Sequence, residues 1–304
     1  MRWLGAAACL FAFLVMSPRL EAHLPTTATT LRLINFHSSV FNNDRFLRVL
    51  LPPGYNLLAR RHSRYPVLYL SDGQDLFDPE ASTFHSGSWL LRDRMDKLYA
   101  NADIRPIIIV GIDNAGHRMR PNEYLPWPDN TLRPPMPHPH GAEYPTFMVR
   151  EVMPYVQKHF RTLSDAKYVG IGGASYGAQI AIYTVAREPG RFGRLLIESP
   201  SVYSDSYRLL KIVRSMGTTP ERISIGVGTN EDGFATCAPG HPPEDEMKDT
   251  LRLRDALVET SHRLALILLN VTECASHTAS AFGARFPTAV EFLYGGTIVT
   301  TQGH

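Results

Sequence analysis

Tyr168-Val-Gly-Ile-Gly-Gly-Ala-Ser175-Tyr-Gly-Ala-Gln-Ile-Ala-Ile-Tyr183 is the stretch on which the fold of this 304-residue chain turns. Its centre, Gly173-Ala-Ser175-Tyr-Gly177, fits Gly-x-Ser-x-Gly. The short apolar run over 168–171 reads as a strand, and the run over 179–188, which stops before Pro189-Gly190, reads as a helix. A serine between such a strand and such a helix sits on a sharp turn in a strained backbone conformation. The flanking glycines remove side chains that would collide with neighbouring backbone. The turn lifts the hydroxyl clear of the sheet, and the helix N-terminus faces the reacting oxygen. The five-residue motif recurs by chance in many chains, so its weight comes from the strand before it and the helix after it.

A serine hydroxyl needs a base within hydrogen-bond reach, and the base needs a carboxylate to orient it. On this kind of turn the order along the chain is serine, acid, histidine. Apart from the terminal His304, three histidines follow Ser175: His241, His262 and His277. His241 stands in a Gly-His-Pro-Pro turn and His262 near the end of a helix. His277, in Cys274-Ala-Ser-His-Thr, falls between the last strand and the last helix, where a base is needed. For the acid, 223–227 reads as a strand and Gly228-Thr-Asn-Glu231-Asp232-Gly233 as the loop leaving it. Glu231 and Asp232 both qualify, and the pattern does not choose between them. Two backbone N–H groups should hold the developing oxyanion. One is that of Tyr176, after the nucleophile. The other is assigned to Gln74, in the loop Leu70-Ser-Asp-Gly-Gln-Asp75 that follows an early strand.

Outward from there, strands are expected over 31–38, 45–51, 65–70, 106–111, 195–198 and 264–271. Helices are expected over 89–98, 146–160, 250–261 and 286–294. Strands alternating with helices imply an α/β chain with a mainly parallel sheet covered on both faces. No linker divides it, so 23–304 reads as one domain. Trp89, Tyr124 and Trp127 are candidate substrate-binding aromatics lining a cleft. Arg118 and Arg120 follow the end of the 106–111 strand and read as solvated loop charge. His138 and His140 flank Pro139 without completing a ligand set, so neither a metal nor a cofactor is expected.

Hydrophobic residues make up 44% of the chain, ordinary globular usage that argues against wholesale disorder. A net charge of +2 without a dense Lys/Arg block argues against a nucleic-acid partner. Met1-Arg2, the apolar run 4–16 and Ser17-Pro-Arg-Leu-Glu-Ala22 read as a secretory signal peptide over 1–22. The run is too short to span a membrane comfortably, so a secreted or periplasmic protein without stable membrane insertion is expected. Its removal leaves Cys237 and Cys274, an even pair that in an exported chain points to one disulfide. These two thiols sit on the loops that carry the acid and the base.

Several further stretches carry a resemblance. They are 67–77 (Val-Leu-Tyr-Leu-Ser-Asp-Gly-Gln-Asp-Leu-Phe), Ile109-Val-Gly-Ile-Asp-Asn114, Glu123-Tyr-Leu-Pro-Trp127, and Met153-Pro154 with Phe160-Arg-Thr162. The Gly173–Gly177 turn, Gly228-Thr-Asn-Glu231 and His277 with Arg285-Phe-Pro complete the set. In this order they resemble the esterase family that includes esterase D, enterobactin esterases, feruloyl esterases and the mycolyltransferases. The resemblance implies an α/β-hydrolase three-layer sandwich. It implies a serine esterase that cleaves a small-molecule or glycan-linked carboxylic ester through an acyl-enzyme on Ser175. It also favours Glu231 as the acid, because the glutamate of a Gly-x-x-Glu stretch often has that role in similar proteins, although some similar siderophore esterases use a serine–histidine pair alone. Two other functions fit the same residues. One is an acyltransferase that delivers the acyl group to a sugar or other alcohol, and the other is a non-catalytic binding protein on this fold.

Overall fold

A computed structural model of the protein describes residues 28–82, 87–101, 104–130, 133–233, 237, 245–262 and 264–295. The expected signal peptide and His241 lie outside the described residues. Eight strands form one sheet: β1 (Thr30–Ser38), β2 (Asn43–Leu51), β3 (Val67–Ser71), β4 (Ile108–Ile112), β5 (Val169–Ser175), β6 (Arg194–Pro200), β7 (Arg222–Gly228) and β8 (Leu266–Thr272). Their order across the sheet is β1-β2-β4-β3-β5-β6-β7-β8. β1 and β2 form an antiparallel hairpin, and β2 is also antiparallel to β4. From β4 to β8 every pairing is parallel.

The parallel part explains its own sequence. β3 and β4 are buried at every residue, as strands covered on both faces must be, and they read as largely apolar runs. Side chains alternate between the two faces. Val67 and Tyr69 join one core with Val110, Ile171, Ile197 and Ile225, while Leu68 and Leu70 join the other with Ile109 and Leu196. The second face is closed by α2 (Leu91–Asn101) and α9 (Ala279–Tyr294), with the short α1 (Gln74–Phe77) between them. The first face is covered by α3 (Arg120–Tyr124), α4 (Tyr144–Phe147), α5 (Met153–His159), α6 (Tyr176–Arg187), α7 (Ser204–Arg214) and α8 (Asp245–Thr260).

Three helical stretches illustrate where the structure departs from the sequence expectation. The helix read over 146–160 is α4 and α5 joined by a π-helical turn, Met148–Val152. Pro154 lacks the N–H that a continuous α-helix would need, and the wider turn before it accommodates the ring. The second difference is α7, which the sequence reading did not mark. Its first turn runs through Asp205, Ser206 and Tyr207, all at positive φ, so no ordinary start signal precedes it. Third, α9 begins at Ala279, capped by Thr278 Oγ1, rather than near Phe286.

Candidate active site

Ser175 ends β5 and opens α6 with φ 58° and ψ −127°, a left-handed conformation rarely adopted by a residue with a side chain. The two motif glycines make room for it. A Cβ on Gly173 or on Gly177 would run into Ser71 Oγ, where the end of β3 passes the turn. Ser175 Oγ lies 3.2 Å from Ser201 Oγ, at the end of β6. It lines a pocket of about 210 Å3, together with His277. Trp89, Ala279 and Phe282 give that pocket an apolar wall, and Ser71, Asp72, Asp75 and Arg120 give it a polar one.

His277 stands on the loop between β8 and α9. Its backbone N–H donates to the Glu231 carbonyl at 3.1 Å, and its Nδ1 lies 2.9 Å from Glu231 Oε2. Its ring stands edge-on to Phe282 at 5.1 Å. The other carboxylate oxygen of Glu231 accepts from Ser199 Oγ at 2.7 Å and from the Gly228 N–H. Burial alone would raise the Glu231 carboxyl, but hydrogen bonds from His277, Gly228 and Ser199 hold it below the usual range. Burial alone would lower His277, but its two carboxylate neighbours, Glu231 and Glu246, push it up to about 9. Asp232, next along the chain, is exposed. Glu231, Glu246 and His277 are a group among the described residues that places three possible ligand atoms within 4.8 Å of one another. A cation there would have to displace the His277–Glu231 hydrogen bond, so these groups are read as an acid–base set.

Tyr176 begins α6, as its expected place after the nucleophile requires. Gln74 is the first residue of α1 and is buried; its side-chain oxygen accepts from the Asn114 N–H at 3.1 Å. Asp72 and Asp75, on either side of it, line the pocket. Of the three aromatics, Trp89 lines the pocket. Tyr124 and Trp127, expected beside it as cleft residues, pack in the core and are not among the residues that line this pocket. Tyr124 packs edge-on to Tyr144 at 5.5 Å and its hydroxyl accepts from the Asp72 N–H, while Trp127 packs on Tyr183 at 6.0 Å. Large rings with so much apolar surface are held by burial.

Residues 38–293 match the family model described as "Putative esterase". The chain belongs to that family. Membership makes this esterase a carboxylic ester hydrolase, as the sequence resemblance implied. It is similar to the uncharacterized protein YbbA of Bacillus subtilis (strain 168), at 22% identity over 255 residues, 83% of this chain and 93% of that protein. Among solved structures it resembles a ferulic acid esterase with a TM-score of 0.63 and 17% identity, covering 88% of this chain and 98% of that one. It also resembles the enterobactin esterase FES from Shigella flexneri, solved with enterobactin, with a TM-score of 0.66 and 18% identity. That match covers 88% of this chain and 60% of FES. The BES protein of Bacillus cereus gives a TM-score of 0.66 at 17% identity, covering 87% and 96%. At identities this low, the structural likeness shows the shared α/β-hydrolase fold and nothing finer.

Four residues of the esterase pocket and its surround escaped the sequence reading. Arg120, expected as solvated charge, is buried, and its guanidinium grips both oxygens of Asp72 at 2.8 and 2.9 Å. It also donates to the Ala174 carbonyl at 3.3 Å, so it fastens the loop after β3 to the nucleophile turn. Its partner lies 48 residues upstream, a distance no local pattern reports. Ser199 and Ser201 come from Glu198-Ser-Pro-Ser201, a stretch that reads only as a strand end. Glu246 stands among the many charges of α8, whose pattern does not distinguish it.

Proposed function

We propose that the esterase cleaves its ester by an acyl-enzyme route with Ser175 as nucleophile, His277 as base and Glu231 as the orienting acid. Ser175 Oγ attacks the acyl carbon while its proton passes to His277 Nε2. The Tyr176 and Gln74 N–H groups bear the oxyanion. His277 then returns the proton to the departing alcohol as the ester C–O bond breaks; later it takes a proton from the attacking water and passes it to Ser175 Oγ as the acyl–Oγ bond breaks and the acid leaves. One observation carries this reading: Ser175, on its left-handed turn, shares one pocket with a histidine whose Nδ1 meets a buried carboxylate at 2.9 Å. Glu231 holds the tautomer that leaves Nε2 able to accept a proton.

The pocket of about 210 Å3 is smaller than sites for drug-sized ligands, and it suits a short acyl group or one aromatic ring seated against Trp89 and Phe282. We infer export as well, supported by the Cys237–Cys274 disulfide. The test is hydrolysis of short-chain, feruloyl, acetyl-sugar and catecholate esters by the wild type and by Ser175→Ala. Loss of several orders of magnitude in a folded Ser175→Ala protein is expected, and wild-type turnover by that variant would end the proposal. Product analysis with an added acceptor alcohol separates release to water from transfer.

A further inference from the structure

Glu246 is the second residue of α8, and its Oε1 lies 3.2 Å from His277 Nδ1. Glu231 Oε2 bears on the same nitrogen at 2.9 Å. Nδ1 carries one proton, and the geometry gives it to Glu231. Among the described residues, Glu246 Oε1 is buried with no hydrogen-bond partner beyond its long contact to His277 Nδ1. A buried carboxylate oxygen in that state is costly unless a positive charge stands beside it. Among the described residues the group that meets it is His277, which carries such a charge only as imidazolium.

We propose that Glu246 is a positioning residue of the hydrolytic reaction, a second carboxylate that stabilises His277 as imidazolium and thereby moves the working range of the esterase to alkaline pH. The proposal rests on the serine-esterase reading above. The groups around His277 agree with it. Glu231 reaches it from the loop after β7 and Glu246 from α8, with Asp232 adding negative charge nearby. From α9, Phe282 offers only a ring edge, and the Arg285 guanidinium is bound to Glu198 of β6 at 2.7 Å. Across the pocket, Arg120 is neutralised by Asp72, and Asp75 is a further acid. Among the described residues the imidazole thus meets two carboxylates directly, Glu231 and Glu246, which push it up to about 9. Glu246 itself is raised, by burial first, with Glu231 and Asp232 adding repulsion against the pull of His277.

Two opposite effects on the reaction follow. As Ser175 Oγ bonds to the acyl carbon, its proton goes to Nε2 and the Nδ1 proton stays in place. The new imidazolium then faces two carboxylates, which makes His277 a stronger base. In the resting enzyme the same carboxylates keep most molecules already protonated. The neutral form that can act as base is therefore the minor one at neutral pH and grows as pH rises.

The proposal is tested on the full chain by two titrations, each run on the wild type, Glu246→Gln and Glu246→Asp. One follows the His277 ring nitrogens by NMR. The other follows kcat/KM for 4-nitrophenyl acetate from about pH 5 to about pH 10.5, corrected for the ester's own hydrolysis. Glu246→Gln should lower both midpoints by about one pH unit, the effect of losing an adjacent opposite charge. Its alkaline plateau should fall roughly threefold while its rate at pH 7 rises roughly threefold, if half the lost basicity is expressed in the transition state. Glu246→Asp, which keeps the charge, should stay close to the wild type. A lowered plateau with both midpoints unmoved would make Glu246 a merely structural residue and overturn the proposal. If Glu246→Gln does not fold, Glu246→Ala is read by the same titrations. The NMR result does not depend on turnover. A shifted His277 midpoint without Ser175-dependent hydrolysis would reject the esterase mechanism and leave the Glu246–His277 coupling intact.

Discussion

Glu231 is tied on every side: His277 on one oxygen, Ser199 and the Gly228 N–H on the other, with its side chain fully buried. Removing its charge while keeping its shape should therefore misdirect His277 rather than unfold the protein. Glu231→Gln is expected to lower kcat/KM on an ester substrate by at least about tenfold, and His277→Ala to approach the loss in Ser175→Ala because the two act as a unit. Asp232→Asn, at an exposed position, should change little. A larger loss in Asp232→Asn than in Glu231→Gln would move the acid one residue along. The same pair predicts a pH dependence of stability. The folded value of His277 is raised from 6.5 to about 9, so its contribution is complete below 6.5 and is lost as pH rises through about 9. Glu231 is lowered from 4.5, so its contribution is complete above 4.5 and is lost as pH falls through its folded value. Urea unfolding of the wild type against His277→Gln should show a stability difference that declines between pH 6.5 and 9; a flat difference would mean the pair is not coupled as described.

At the scale of elements, the nucleophile turn is held from the side by α3. Arg120 bridges Asp72, in the loop after β3, to the Ala174 carbonyl, beside Ser175. Arg120→Met would leave Asp72 a buried carboxylate without its cation, at a cost of about 3–5 kcal/mol. Asp72→Asn added to it should recover part of that loss. Unfolding free energies read both, and a single variant as stable as the wild type would show that the bridge does not stabilise the fold. The elements also show what the sequence could tell. β3 and β4 were legible because strands buried on both faces write short, largely apolar runs, and the turn of Ser175 because its Gly-x-Ser-x-Gly motif stands between a strand and a helix. α9 was read too short because Ser280 and Gly283, in its first turns, are poor helix formers. Packing overrides them: the Gly283 backbone lies against the backbone of Trp89, with no room for a Cβ. The roles of Arg120, Ser199, Ser201 and Glu246 were not legible, since each depends on a partner far away in the chain.

Over the whole molecule, the site is assembled from both halves of the chain at the C-terminal ends of the parallel strands, where the loops after β3, β5, β6, β7 and β8 meet. The Cys237–Cys274 disulfide, with Cα atoms 5.5 Å apart, joins the segment after Glu231 to the loop of His277. It closes 37 residues of chain, for which loop entropy assigns about 3–4 kcal/mol. Cys237→Ser with Cys274→Ser should lower stability by up to that amount. If the link also preorganises acid and base, activity should fall at temperatures where the variant is still folded; unchanged activity there would confine the bond to stability. The central claim is that the acyl group passes through Ser175. Its most direct test is to quench the protein during turnover of a slowly deacylated aryl ester and locate the added mass on digested peptides. The account predicts one acyl group on the peptide that carries Ser175, absent in Ser175→Ala; turnover with no acylated peptide, or with the label on another residue, would contradict it.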